Sequence, residues 1–465
     1  MPGSTTPGPV DVSPSLDRRL GPLDGAAIIV SNVIGSGIFL VPALIAQWVP
    51  SVGAMLGVWL TGGLLAFAGA MAYAELAALR PRAGGEYVYL REAFGNLAGF
   101  LTGWTSLVAG FSGAIAAGAV GLASYLGRFI PAASDTTPIV ELPLLFVTLT
   151  MSPQSLTALT ALAVLTGVHV AGVGPGRVVQ NVLAGAKVVV LVALVALGFT
   201  VGDGSAAHFT MSAGPVTPSL WLLALIPIMF SFSGWNAAAY VAEEIRDPGR
   251  NVPVAMAIGT TAVVIVYLLL NVLYVYALPV GELGAVDVRV VDVAADRLFG
   301  PMVAAPLAAA SAVMIAASIS AMVLAGPRVY YAMARDGLFF EAAARVHPRW
   351  RTPVTAILAQ SVWSGVLVLA GTFDQLLLYT GFAVVLFSGA AVTALFVLRW
   401  RLPSAERPFR AWGYPVAPLF FVAASLAMLV NQIWREPAAS GAGLVVIAAG
   451  LPVYAVFRTG ARRGG

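Results

Sequence analysis

One lysine occurs in the 465 residues, Lys187, inside the apolar run NVLAGAKVVVLVALVALGF. At about 1.5 Å per residue it lies about 15 Å from either end of a helix formed by that run, beyond the reach of a snorkelling side chain. An ammonium at such depth in lipid costs about 3 kcal/mol or more on insertion scales unless it meets oxygen ligands, faces a cavity or loses its proton. All 21 acidic residues, including Glu75, Glu243 and Glu244, fall in loops or near the ends of apolar runs, so no deep carboxylate is expected to answer it. Backbone carbonyls are the remaining partners, and an intact helix does not release them. A purely structural lysine wedged between helices is the alternative.

Two interruptions offer free carbonyls. VSNVIGSGIFLVP, residues 30–42, is broken by Gly35, Ser36 and Gly37, and PIMFSFSGWNAAAY, residues 227–240, by Ser231, Ser233 and Gly234. A helix opened at mid-length exposes amide hydrogens on one half and carbonyls on the other, so both ends of a zwitterion can bind there. Alone, such a motif reads better as small residues for close helix packing. Their pairing carries the weight.

Other chemistry is poorly served. With no cysteine, thiol catalysis, disulfides and thiolate metal sites are excluded, and His169, His208 and His347 are too scattered for a ligand set, so no metal and no cofactor are expected. His169 reads as a hydrogen-bonded packing residue. GVGPG at 172–176 lacks the Lys-Ser/Thr of a phosphate loop and reads as a turn. No membrane-depth carboxylate pair or Cys/His pair suggests an enzyme, and paired breaks favour alternating access over an open channel.

The elements that must position these residues are membrane helices. Hydrophobic residues make up 59% and charged residues 10% of the chain, against about 45–50% and 25% in soluble domains. Twelve apolar runs long enough to span a bilayer are expected, at about 24–48, 52–78, 94–126, 141–171, 178–201, 217–243, 253–279, 302–334, 353–371, 375–399, 415–434 and 442–457. If the amino terminus is cytoplasmic, 20 arginines fall in loops on that side and only Arg128, Arg289, Arg297 and Arg435 on the other, which predicts both termini inside. The net charge of +4 therefore describes topology, and nothing suggests nucleic-acid binding. Residues 1–22 and 460–465 read as cytoplasmic tails, the first disordered and without the pattern of a signal peptide.

The breaks lie five spans apart, an odd number, so spans 1 and 6 should run in opposite directions. That predicts an inverted repeat, with halves at about 23–201 and 217–399, followed by two extra helices within one transport domain, 23–459.

With GSGIF at 35–39, GGEYVYLREAFG at 84–95, FSFSGWNAAAYVAEEIRDPGRNVP at 230–253 and ARDG at 334–337, the chain resembles the amino acid-polyamine-organocation superfamily over nearly everything after residue 22. The resemblance implies an all-α membrane protein of the leucine-transporter fold with broken helices 1 and 6. VQNVLAGAK at 179–187 is similar to the fifth span of neutral amino acid exchangers and bacterial permeases. In those relatives the matching lysine occupies the region that sodium fills in sodium-coupled cousins. Lys187 would then hold carbonyls of the opened first helix together with the hydroxyls of Ser318 or Ser320, or exchange a proton during the cycle.

The resemblance also implies that amides at Ser36, Gly37 and Ile38 take a substrate carboxylate and that carbonyls near Val33, Phe230 and Ser233 take its amino group, with Gly35, Ser231 and Gly234 also in the substrate site. Phe230 and Trp235 are gate candidates, and Asn236 bridges the breaks. The absence of a deep acid favours neutral over cationic substrates or polyamines. The expected function is sodium-independent transport of neutral L-amino acids across the inner membrane, by exchange or proton symport, with the oligomeric state left open. AEEIRDPGR, 242–250, reads as solvated ion pairs or a cytoplasmic gate, with Arg328 and Arg335 as candidate partners.

Overall fold

The computed structural model describes residues 18–144, 148–171, 176–286, 289–350, 352–371 and 373–461. Most of the expected amino-terminal tail, residues 172–175 of the GVGPG turn and residues 462–465 lie outside the described residues.

The first span is two helices, α1 (Pro22–Val33) and α2 (Ser36–Trp48), bent by 46° at Ile34 and Gly35. Next come α3 (Val52–Leu79), the short α4 (Glu86–Phe94), and α5 (Asn96–Thr105) with α6 (Phe111–Leu126), which one π-helical turn at Ser106–Gly110 joins into a single span. A hairpin of β1 (Val140–Pro143) and β2 (Thr148–Met151) leads to α7 (Pro153–Val170), followed by α8 (Gly176–Thr200). The second break separates α9 (Pro218–Ser231) from α10 (Ala237–Tyr240).

Then follow α11 (Pro248–Ala277), α12 (Val280–Gly284), α13 (Val290–Phe299), α14 (Pro301–Ala325) and α15 (Pro327–Arg335). The chain ends with α16 (Val354–Ala370), α17 (Phe373–Arg401), α18 (Val416–Arg435), α19 (Pro437–Ala448) and α20 (Gly450–Ala461).

Among the described residues nine spans are long and apolar enough to cross a bilayer, and the bent pair α1 and α2 makes a tenth. The sixth and ninth expected spans are the shorter apolar helices α9 and α16, of 14 and 17 residues. One boundary differs clearly. The expected run 141–171 starts as the hairpin, because Val140, Thr148 and Thr150 suit a strand ladder. The helix begins only where Ser152 caps it and Pro153 fills its first position.

Spans 1 and 6 are antiparallel. The residues entering α1 pair with the chain just after α10: Arg19 and Leu20 amides donate to Glu244 O, at 2.9 and 3.0 Å, and Arg246 N donates to Leu20 O at 2.9 Å. At the opposite end the chain leaving α2 meets the approach to α9, with Ala213 N donating to Pro50 O at 2.8 Å. Start faces end in both places, as an inverted repeat requires. The core is continuous around the two breaks, with Trp59, Phe232 and Tyr267 stacked edge-on or tilted beside the second.

Candidate functional site

Where α1 stops, the carbonyls of residues 31–34 lose their intrahelical donors. Each one is met from outside. Lys187 of α8 donates through Nζ to Ser31 O at 3.0 Å and Ile34 O at 2.8 Å, with 2% of its surface exposed. Ser318 Oγ of α14 donates to Asn32 O at 2.9 Å. Tyr267 Oη of α11 lies 2.7 Å from Val33 O and 3.2 Å from Ser231 O, one hydroxyl shared between the two breaks. These are ionic and neutral hydrogen bonds in a water-poor interior, where an unmet carbonyl is costly.

Ser320 lies apart from this set. Two positions along an α-helix are about 200° around its axis, so Ser320 faces away from Ser318 and sits 2.7 Å from His169 Nε2. That contact gives His169 its packing partner. Tyr267 was not singled out in the sequence, although a phenol near the middle of an apolar helix is a polar group in need of a partner.

The two breaks interlock. A Cβ on Gly37 would lie 2.7 Å from Ser231 Cα, one on Gly35 2.5 Å from Ser318 Oγ, and one on Gly234 2.7 Å from Asn32 Cβ. Gly234 also has φ +105°, in the region that glycine alone enters without strain. Val33, Gly35, Ser36, Gly37, Ile38, Phe230 and Ser231 are accordingly buried against protein.

A cavity opens beside this joint. Asn32, Ser233, Gly234, Trp235 and Asn236 line it from the breaks, Ser106 and Gly110 line it from the π-helical turn, and Thr105 lines it from the end of α5. Such turns disrupt the regular ladder and recur at functional sites. Of the residues singled out in the sequence, Ser233, Gly234, Trp235 and Asn236 face the cavity; the amides of the first break do not.

Glu86 also lines the cavity, which corrects the expectation of no deep acid. In sequence Glu86 belongs to a loop, but Gly84 and Gly85, at φ +113° and +49°, turn the chain back beneath Tyr240, whose ring leaves no room for a Cβ on Gly85. The first turn of α4 therefore presses a carboxylate inward. Tyr73 Oη and Asn236 Nδ2 both donate to its Oε1, at 2.6 and 2.7 Å. Lost hydration raises its pKa above the usual glutamate value, against the opposing effect of the bonds from Tyr73, Asn236 and Tyr240.

Charged closures lie at both ends. On the side that carries the start of α1, Glu243 meets Arg335 at 3.2 Å and Glu244 meets Arg328 at 3.1 Å, while Asp336 pairs with Arg91 and accepts from Tyr87 Oη at 2.9 Å. The acids of AEEIRDPGR thus reach across to α15. At the other end Arg128 pairs with Asp292 and lies 3.3 Å from Asp296.

Two broken, antiparallel helices meeting beside a cavity between charged closures define a transporter of the leucine-transporter fold. The chain belongs to the amino acid permease family, which it matches over residues 20–457, within the amino acid-polyamine-organocation superfamily. It is 31% identical to the human "Large neutral amino acids transporter small subunit 2" over 452 residues, which cover 95% of this chain and 80% of that protein. To the mouse "Asc-type amino acid transporter 1" it is 30% identical, over 95% of this chain and 81% of the relative. To the mouse "b(0,+)-type amino acid transporter 1" it is 29% identical, over 91% and 84%. It is a multi-pass membrane protein of amino acid transport.

Proposed function

We propose that the protein moves neutral L-amino acids without sodium, by alternating access, as an exchanger or a proton symporter. The observation that carries this reading is Lys187 Nζ donating to two carbonyls of the opened first helix. A fixed cation there does the electrostatic work that a bound metal ion would do, so sodium is superfluous. In this reading the carboxylate of the substrate takes the amides of Ser36, Gly37 and Ile38, and its amino group takes carbonyls near Val33, Phe230 and Ser233. Gly37 against Ser231 seals those amides in the present arrangement. Binding there therefore requires the two breaks to part, with Phe230 and Trp235 covering the substrate.

The neutral class is supported by the name of one relative, the "Large neutral amino acids transporter small subunit 2". A second reading, transport of cationic amino acids, is favoured by one observation, the carboxylate of Glu86 in the cavity. The arginine bias supports an inner-membrane protein with both termini in the cytoplasm. Uptake of labelled leucine into proteoliposomes tests the proposal. We expect equal rates in sodium and in its absence, and acceleration by internal amino acid or by an inward proton gradient. Strict dependence on sodium overturns it.

A further inference from the structure

The first turns of α11 and the segment between α17 and α18 enclose a groove of about 590 Å³, separate from the cavity beside the helix breaks. Its size falls within the roughly 300–1,000 Å³ of small-molecule pockets. Gly249 joins the two walls, since a Cβ there would lie 2.8 Å from Pro408 Cβ. Val254 and Ile258 form one wall, and Phe409 and Trp412, with ring centroids 6.0 Å apart, form the other. Two charged side chains complete the lining, Asp247 and Arg250.

The groove lies at the level of lipid headgroups. α11 is 30 residues long, about 45 Å at about 1.5 Å per residue, against a hydrocarbon core of about 30 Å. Val254, Ile258, Ile265 and Leu269 are all exposed, and by the period of about 3.6 residues they share one face of the helix, the face turned to lipid. The groove is the place where that face meets the charged start of α11. Trp412, exposed beside it, has the amphipathic ring that gathers at membrane interfaces.

Asp247 and Arg250 are three residues apart, a spacing that lets opposite charges meet on a helix. Yet among the described residues neither side chain has an ion-pair or hydrogen-bond partner. Asp247 stands just before α11, where a carboxylate ordinarily caps the helix, but at φ 44° it makes no such bond. An acid and a base that face one groove, both unsatisfied, complement a zwitterion better than an anion or a cation alone.

We propose that the groove holds one phospholipid with an ethanolamine headgroup, from the leaflet on the side that carries the start of α1. The guanidinium of Arg250 takes the phosphate, the carboxylate of Asp247 takes the ammonium, and an acyl chain runs along Val254, Ile258 and Trp412. A choline headgroup has no N–H to donate to Asp247, and a glycerol headgroup has no cation.

The test is native mass spectrometry of the purified protein in detergent, with phosphatidylethanolamine, phosphatidylcholine or phosphatidylglycerol of identical acyl chains added. The wild type should retain one phosphatidylethanolamine about fivefold more than either other lipid, the gain expected of one partly exposed ion pair. Asp247→Asn keeps a residue that tolerates positive φ and should abolish that preference. Arg250→Gln should lower retention of all three lipids by about fivefold or more. Ile258→Trp leaves both charges and fills the groove, so it too should lower retention of all three.

Equal retention of the three lipids by the wild type overturns the proposal, and so does a preference for phosphatidylglycerol, which marks an anion site. A preference that survives in Asp247→Asn does the same. Should that variant not fold, Ile258→Trp decides, because an ethanolamine preference kept there places the lipid elsewhere. Transport does not enter the readout, so the result stands apart from the functional reading above.

Discussion

At the first helix break the carbonyls from residue 31 to residue 34 are all held by side chains of α8, α11 and α14, whereas at the second Ser233, Gly234 and Asn236 look into a cavity. Both breaks arise from small residues in an apolar run, and both expose main-chain polarity. Only the second has room for a ligand in this arrangement. The difference teaches that opening a helix does not by itself make a binding site: the freed carbonyls must be left some unmet demand, and in α1 Lys187 and two hydroxyls have already met it.

The comparison breaks most severely if Lys187 is removed. Lys187→Ala takes away two charge-assisted bonds of about 1.5–3 kcal/mol each, and uptake per inserted protein in proteoliposomes should fall by about a hundredfold or more. Wild-type uptake in this variant would show that the joint at the first break is idle.

Gly234→Ala attacks the second break directly. A non-glycine residue in the left-handed region costs about 1–2 kcal/mol, and its Cβ meets Asn32 at 2.7 Å. The melting temperature of the purified protein should drop by about 1–2 °C.

Tyr267→Phe cuts the hydroxyl shared by Val33 and Ser231. With about 0.5–1.5 kcal/mol lost per neutral hydrogen bond, initial uptake should fall by about tenfold, and an unchanged rate would separate the two breaks energetically.

The pH dependence of Glu86 sharpens the cavity side. Its pKa is raised in the folded protein, so the folded state holds more protons than the unfolded chain between the ordinary glutamate value and the raised one. Stability then falls as pH rises through that window. The melting temperature of Glu86→Gln relative to the wild type should therefore increase with pH there, and a constant difference would argue against the raised value. The smallest effect separates the two serines: Ser318→Ala should slow uptake a few-fold and Ser320→Ala hardly at all, because only the former touches the first break.

The breaks, their opposed directions and the need of Lys187 for backbone carbonyls were legible from composition and periodicity, whereas the first helix as the source of those carbonyls came from the family resemblance. A sole lysine in an apolar run has few partners available, and an odd number of spans fixes direction. The choice between Ser318 and Ser320 needed the rotation of α14, which a run of alanine and other small apolar residues on every face leaves unmarked. Glu86 was misread because its burial comes from a tertiary fold-back at Gly84 and Gly85, not from an apolar neighbourhood in sequence. The hairpin at 140–151 was hidden for a related reason: its side chains are apolar enough for a membrane helix, and strand pairing decided otherwise.

The three backbone bonds that join Arg19, Leu20 and Arg246 across the entrance to α1 have a mechanical meaning. They act as a latch: α1 cannot swing outward while the chain beyond α10 stays in place. Either the latch unfastens, and the doorway on that side opens at the expense of those bonds, or both segments travel as one rigid lever and the hinge lies farther inward, at the two glycine-bearing joints.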